Sequence, residues 1–419
     1  MNHRRKPRIG LIERAVAVWV TAAVLQPGAW AATFVSDPDS LWPNGVVYYR
    51  FFDDLRDVSV CEDSNPTVAC DPSNGTADCS QFVACIPLTS GWCLGGNSAS
   101  FNWPSCDTSN GNADCTSAGV SGGQCVLTTM SAMCVAMKLW AAEANLTFIE
   151  FDCPNGQPTC PGMSCVGGTP SHYITMRSTS GASSFSDSVG RSSGSQQYIN
   201  VKLREGWIGK FGMAHELGHA LGLYHEQQRP DRDTYLDVDT SLVTSGLEGN
   251  FSKQSDASFY PRVEHNTATP FDFDSLMMYA LCRFSTCGDS CTGDSSICVN
   301  DPGNCRPMQR IWAWTGLDSC CGVPSGDPCI GQRNHFSAMD ALAMKFLYPQ
   351  GGWRFVDWVY DGSTEAGTFI QPYRAFPGGA DVTPSGGTLW VQPGSYSAVG
   401  SYDNSMTVRA PIGPVNLGG

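Results

Sequence analysis

Twenty cysteines, gathered in separate groups, constrain this chain more than any other feature. Eight fall at 61–125, four are Cys134, Cys153, Cys160 and Cys165, and eight fall at 282–329. None lies between Cys165 and Cys282. So many thiols point to disulfides and an oxidising compartment. The even count in every group suggests pairing within groups, with adjacent Cys320 and Cys321 taking separate partners because a bridge between neighbours is strained. The first group holds a repeat, CDPSNGTADC at 70–79 and CDTSNGNADC at 106–115, identical at eight of ten positions. Rich in Gly, Ser, Asn and Asp, this region cannot build a core by burial alone and needs covalent staples. Asp71, Ser73, Asn74 and Asp78 around Gly75 offer oxygens at calcium-loop spacing. The bidentate glutamate of such a loop is missing, which favours a stapled turn.

The amino terminus agrees with export. Arg4, Arg5, Lys6, Arg8 and Arg14 precede the apolar run Ala15 to Leu25, then Pro27-Gly28 and the small-residue site Ala29-Trp30-Ala31. This reads as a signal peptide over 1–31, cleaved before Ala32. The apolar run, 11 residues long, is too short to span about 30 Å of hydrocarbon. No membrane span and a secreted product are therefore expected. Across 419 residues the net charge is −14; without 1–31 the chain carries 20 basic and 38 acidic residues, net −18. Nucleic acid and anionic membrane surfaces are poor partners for such a chain.

Periodicity predicts an α+β fold. Val46 to Phe52, Leu146 to Phe151, His172 to Met176 and Tyr198 to Leu203 read as strands, and Met130 to Ala144 and Ile208 to Leu221 as helices. Ser337 to Leu347 reads as a helix with Ser337 as N-cap and Asp340 in its first turn. After Tyr348 the chain turns Gly- and Pro-rich with short strand-like runs at Thr388 to Gln392 and Met406 to Ala410.

The run from His215 to Glu226, HELGHALGLYHE, carries the chemistry. On a helix, His215 and His219 project from one face and can bind one metal. Glu216 sits beside the first ligand without ligating. A helix continuing past Leu221 would carry His225 away, but Gly222 can adopt positive φ and turn the chain back. Three neutral imidazoles leave an open position for water, the mark of a catalytic zinc site.

The motif with its glycine turn resembles that of the metzincins. Glu226 followed by Arg229-Pro230-Asp231-Arg232-Asp233 resembles their astacin branch. Ser275-Leu276-Met277-Met278-Tyr279 is similar to the family's Met-turn, with Met278 where a histidine is usual. Trp42 to Val47, Val189-Gly190-Arg191 with Gly194 and Gln196, and Ile330-Gly331-Gln332-Arg333 with Asp340 and Leu347-Tyr348 extend the similarity over about 41–350. The resemblance implies a two-lobed zinc protease domain at 32–350 with a mixed sheet, a zinc helix and a closing helix, interrupted by Cys-rich insertions at about 61–125 and 282–329. It implies Zn²⁺ on His215, His219 and His225, and Glu216 as general base for water attacking a peptide bond. Tyr279 would be a switchable fifth ligand and oxyanion donor, and Met277 an apolar floor. Gly222 and Glu226 would give structural support; either an Ala32 amine approaches Glu226, or the terminus is frayed and Glu226 bonds local backbone. Protein or peptide substrates follow. The alternative is a secreted binding or adhesive protein using the insertions, with an incidental metal site.

The family's usual disulfides are missing: Ala182 and Trp207 stand where one pair is expected, and Asn145 and Gln350 where the other is. From 351 to 419, Gly367-Thr368, Pro372-Tyr373, Gly386 to Val391 and Pro393 to Tyr396 resemble the opening coil of bacterial parallel β-helices. A small β appendage is expected there.

Overall fold

A computed structural model describes residues 33–52, 60–62, 68–69, 124–125, 129–153, 156–160, 162–179, 183–202, 210–254, 271–281, 283–286, 307–311, 330–333, 335–410 and 414–418. The signal segment, the ten-residue repeat with its candidate calcium loop, Ala182, Trp207, the start of the expected Ile208–Leu221 helix and most of the second insertion lie outside the described residues.

The main sheet comprises β1 (Val46–Phe51), β2 (Thr147–Phe151), β3 (Ser164–Val166), β4 (Tyr173–Thr179), β5 (Phe185–Ser186) and β6 (Gln196–Lys202). Its order is β3-β2-β1-β4-β6-β5. All neighbours pair in parallel except β5, which runs antiparallel to β6 at the edge. β1 forms because Val46 to Phe51 alternates, burying Val47, Tyr49 and Phe51, and β-branched and aromatic side chains suit a pleated, half-buried surface. Helices α1 (Thr129–Glu143) and α2 (Lys210–Ala220) pack on each other. Trp140 Nε1 on α1 donates to the Ala214 carbonyl on α2 at 2.8 Å. Val47, Tyr49, Ile174, Met137, Met213 and Leu217 share one buried cluster. A second cluster, with Leu236, Phe251, Met278 and Tyr279, forms the other lobe, where β7 (Leu236–Val238) pairs with β8 (Met308–Arg310).

Helix α3 (Ala338–Leu347) starts where its cap predicts. Ser337 accepts the Asp340 N–H while the Asp340 carboxylate accepts the Ser337 N–H, a reciprocal capping box. The same carboxylate accepts Ser275 Oγ and Leu276 N–H, both at 2.7 Å. One side chain thereby starts α3 and anchors the 275–279 turn.

In the middle cysteine group, Cys134 pairs with Cys160 and Cys153 with Cys165. Pairing is internal to the group, as the even count suggests. Near Asn145 and Gln350, where a disulfide would be usual, the Asn145 N–H instead donates to the Tyr348 carbonyl at 3.0 Å. In the first insertion Val60–Glu62 pairs with both Val68–Ala69 and Gln124–Cys125, so the chain leaves and rejoins at one place.

Beyond α3, β9 (Trp353–Val356), β10 (Gly387–Val391) and β12 (Met406–Arg409) form a parallel ladder. β11 (Gly394–Ser397) and β13 (Val415–Gly418) form a second one. Phe346 of α3 lies among Phe355, Phe369 and Trp390, with ring centroids 5.2, 4.8 and 5.1 Å away. These rings belong to the same buried cluster as the zinc-motif helix, so the segment after 351 completes that core. Among the described residues no helix is long and apolar enough to cross a membrane.

The Cys134–Cys160 bridge ties α1 to a loop across 26 residues. Replacing both cysteines by alanine should lower the unfolding free energy by about 3 kcal/mol, the usual scale for such a closed loop. Urea unfolding monitored by tryptophan fluorescence checks this, and a loss well below that scale would show the bridge to be a minor staple.

Candidate metal and catalytic site

The site grows from the end of α2. His215 and His219 lie one turn apart and are both buried. After Ala220 the helix stops because Gly222 takes φ +112°, in the region that favours glycine. The Gly222 N–H then donates to His219 O and the Leu223 N–H to Gly218 O, each at 2.8 Å. The chain turns back and carries His225 towards the helix. His225 Nε2 lies 3.0 Å from His219 Nε2 and 3.3 Å from His215 Nε2.

Backbone carbonyls select the tautomer. His215 Nδ1 donates to Leu276 O at 2.8 Å, and His219 Nδ1 to Leu223 O at 2.7 Å. The Gln228 side chain hydrogen-bonds His225. With the Nδ1 protons so placed, Nε2 of His215 and of His219 presents a lone pair inward. Burial, together with Arg333 and the neighbouring imidazoles, holds His215 well below the ordinary histidine range. Burial pushes His219 down to about 4. Burial, then His219 and Arg333, lowers His225 as well. Nitrogen lone pairs this close repel one another unless a cation or a proton lies between them. Tetrahedral zinc with bonds of about 2.0–2.1 Å would space its ligands about 3.3 Å apart, so the donor set fits the metal.

Glu216 lies half-buried on the same helix. Its Oε2 accepts the Ser186 N–H from edge strand β5 at 2.9 Å. The Tyr279 ring packs over His225 with centroids 4.1 Å apart, and the Tyr279 N–H donates to Gln227 Oε1 at 3.2 Å. Met277 lies buried against α2 at Gly218, where an added methyl would stand 2.9 Å from its Sδ. Any larger residue at 218 would require the end of the Met277 side chain to shift. Glu226 is buried and accepts Arg229 Nη1 at 2.7 Å, Thr33 Oγ1 at 3.1 Å and the Asp272 N–H at 3.3 Å. Burial raises its carboxyl against the opposing pull of Arg229. The Ala32 amine lies outside the described residues, but its neighbour Thr33 reaches Glu226.

The three histidines thus come together, with the Tyr279 ring on His225 and Glu216 on the same helix. Sequence reasoning missed Ser186 beside Glu216 and gave Arg333 no role. The half-buried Arg333 guanidinium feels Glu216 and Tyr279, and desolvation lowers it to about 10. Neither residue belongs to a local pattern around the histidines.

Residues 155–296 match the astacin family of peptidases. Similar proteins include Protein SpAN of Strongylocentrotus purpuratus, 38% identical over 148 residues, 34% of this chain and 22% of that one. High choriolytic enzyme 1 of Oryzias latipes is 29% identical over 176 residues, 42% of this chain and 50% of that one. The chain therefore spans at most half the length of these curated relatives. The solved structure of High choriolytic enzyme 1, described as a hatching enzyme zinc-protease, shares 25% identity over 52% of this chain and 80% of that one, with a TM-score of 0.34.

The lowered histidines make a prediction for the metal-free protein. His219 binds its proton only near pH 4 when folded but near about 6.5 when unfolded. Its contribution is complete above the unfolded value and is lost as the pH falls through the folded one. Stability should therefore drop by on the order of 3 kcal/mol from this residue between about pH 6.5 and 4. Urea midpoints of chelator-treated protein across that range are the check; a flat profile would overturn the assignment.

Proposed function

We infer, from the premise that the chain carries an astacin-like zinc metalloendopeptidase domain, that it is a secreted enzyme hydrolysing peptide bonds in protein or peptide substrates. The observation that carries this reading is the convergence of three neutral imidazoles, with Glu216 next to the first of them on the same helix. His215, His219 and His225 would hold Zn²⁺ through their Nε2 atoms. Zinc, when bound, would supply Lewis acidity and lower the pKa of water towards about 7.

The remaining work falls to the chain's own groups. Glu216 takes the proton of the attacking water on its carboxylate and delivers it to the leaving amine. The Ser186 N–H, bonded to Oε2, limits rotation of that carboxylate, so the proton acceptor is oriented before substrate arrives. The Tyr279 hydroxyl donates to the oxyanion that develops on the scissile carbonyl. Met277, wedged under α2 at Gly218, forms the apolar floor that excludes water from beneath the histidines. Secretion is supported by the two disulfides of the middle group, since such bridges persist in oxidising compartments.

Glu216→Gln keeps size and shape but removes the base. The variant should retain one zinc per chain and lose at least about two orders of magnitude in turnover. Metal analysis and a peptide-library digest, with and without a chelator, measure both, and full turnover at full zinc occupancy would sink the mechanism. A second expectation concerns export. Protein collected from a secreting host should begin at Ala32 by N-terminal sequencing, and an intact Met1 on the exported protein would refute cleavage there.

A further inference from the structure

We propose that Phe369, in the segment beyond α3, is a positioning residue for the zinc site, acting through Phe34 on the segment that returns from α2 to His225. The inference rests on the assignment of His219 and His225 as zinc ligands. Thr33 to Val35 runs antiparallel beside Gly222 to Tyr224. The Val35 N–H donates to Gly222 O at 2.9 Å and the Tyr224 N–H to Thr33 O at 2.8 Å, with Phe34 bridged to Leu223. Leu223 is the residue whose carbonyl holds His219 Nδ1 at 2.7 Å, and His225 follows two positions later. The return segment is thus held on its outer side by a three-residue strand, and Thr33 Oγ1 adds the contact to Glu226 at 3.1 Å.

So short a strand has little stability of its own. What covers it comes from the far end of the chain. The Phe34 ring packs on Phe369 with centroids 5.2 Å apart, and both are buried. Phe369 is in turn fixed by Phe346 of α3 at 4.8 Å and Phe355 of β9 at 5.4 Å. Its own turn is clipped to β9 at both ends: the Phe355 N–H donates to Gly367 O at 3.1 Å, and the Tyr373 N–H to Phe355 O at 2.9 Å. A rigid ring on a rigid turn therefore presses the Thr33–Val35 strand onto the segment whose carbonyl sets the His219 tautomer. Second-sphere groups that orient a metal ligand typically change metal affinity by about 10- to 100-fold when removed.

The test compares full-length wild type with Phe369→Ala, Phe369→Leu and Met406→Ala. Met406 packs in the separate cluster of the parallel ladders and serves as a control for loosening that segment alone. The readouts are hydrogen exchange at the Val35 and Tyr224 amides and zinc affinity by competition with a chelator. Phe369→Ala should speed exchange at both amides by about tenfold, the scale of a lost aromatic pair, and weaken zinc by a similar factor. Phe369→Leu, which keeps most of the volume, should show the same changes at about threefold and covers the case in which the alanine variant does not fold. Met406→Ala should leave both readouts within about twofold of wild type. Unchanged exchange and affinity in folded Phe369 variants would overturn the proposal, as would equal loosening by Met406→Ala. Neither readout needs a substrate. Failure of the proteolytic reading would appear as wild type inert towards peptides, whereas failure of the clamp appears in the exchange rates.

Discussion

Two backbone carbonyls, those of Leu276 and Leu223, decide whether this site can hold a metal at all. By accepting the Nδ1 protons of His215 and His219, they turn the lone pairs of both rings towards one point. The rest of the architecture secures these two acceptors. Asp340 fixes the Leu276 end, because its carboxylate holds Ser275 Oγ and the Leu276 N–H while it caps α3. At the Leu223 end the Gly222 reversal and the Thr33–Val35 strand do the same. A buried amide carbonyl held from behind by the backbone is a stiff acceptor, and stiffness is what a catalytic ligand set requires.

Charge is arranged to keep the imidazoles neutral and the nearby acids oriented. Burial is the leading cause of each histidine's lowered value, and Arg333 adds to it from the Met-turn side. Behind the same turn Glu226, Asp272 and Asp340 form a buried acidic group, with Arg229 donating to Glu226 and Ser337 Oγ donating to Asp272 at 2.6 Å. Burial and then Asp340 and Glu226 raise Asp272 well above the usual carboxylate range. Removing one partner from such a network leaves an uncompensated buried charge, so its members are expected to tolerate substitution poorly.

Much of this is legible in the sequence, for physical reasons that differ from place to place. The strand at Val46 follows from alternation, and the start of α3 from a Ser and an Asp three residues apart. The three histidines follow from helical spacing plus one glycine. Internal pairing of the middle cysteines follows from parity, but four cysteines allow three connectivities, so Cys134–Cys160 has to come from the fold. Ser186 and Arg333 are not legible in their site roles, because each meets the helix only through chain reversals that no local pattern encodes. Composition, shifting to Gly and Pro, marks where the segment after residue 351 begins but not what it packs against. Its aromatic residues Phe355, Phe369 and Trp390 decide that, since rings of that size bury themselves against the nearest apolar surface, which is α3.

The meeting of Phe34 and Phe369 joins two points far apart along the chain. During synthesis the Thr33–Val35 strand emerges early, yet the ring that covers it is made long afterwards. The sheet, α1 and α2 can form as they leave the ribosome, because their contacts are nearer in sequence. The outer support of the His219–His225 segment cannot. The segment that presents His219 and His225 is therefore incompletely braced until residue 369 has been added, a delay written into topology alone.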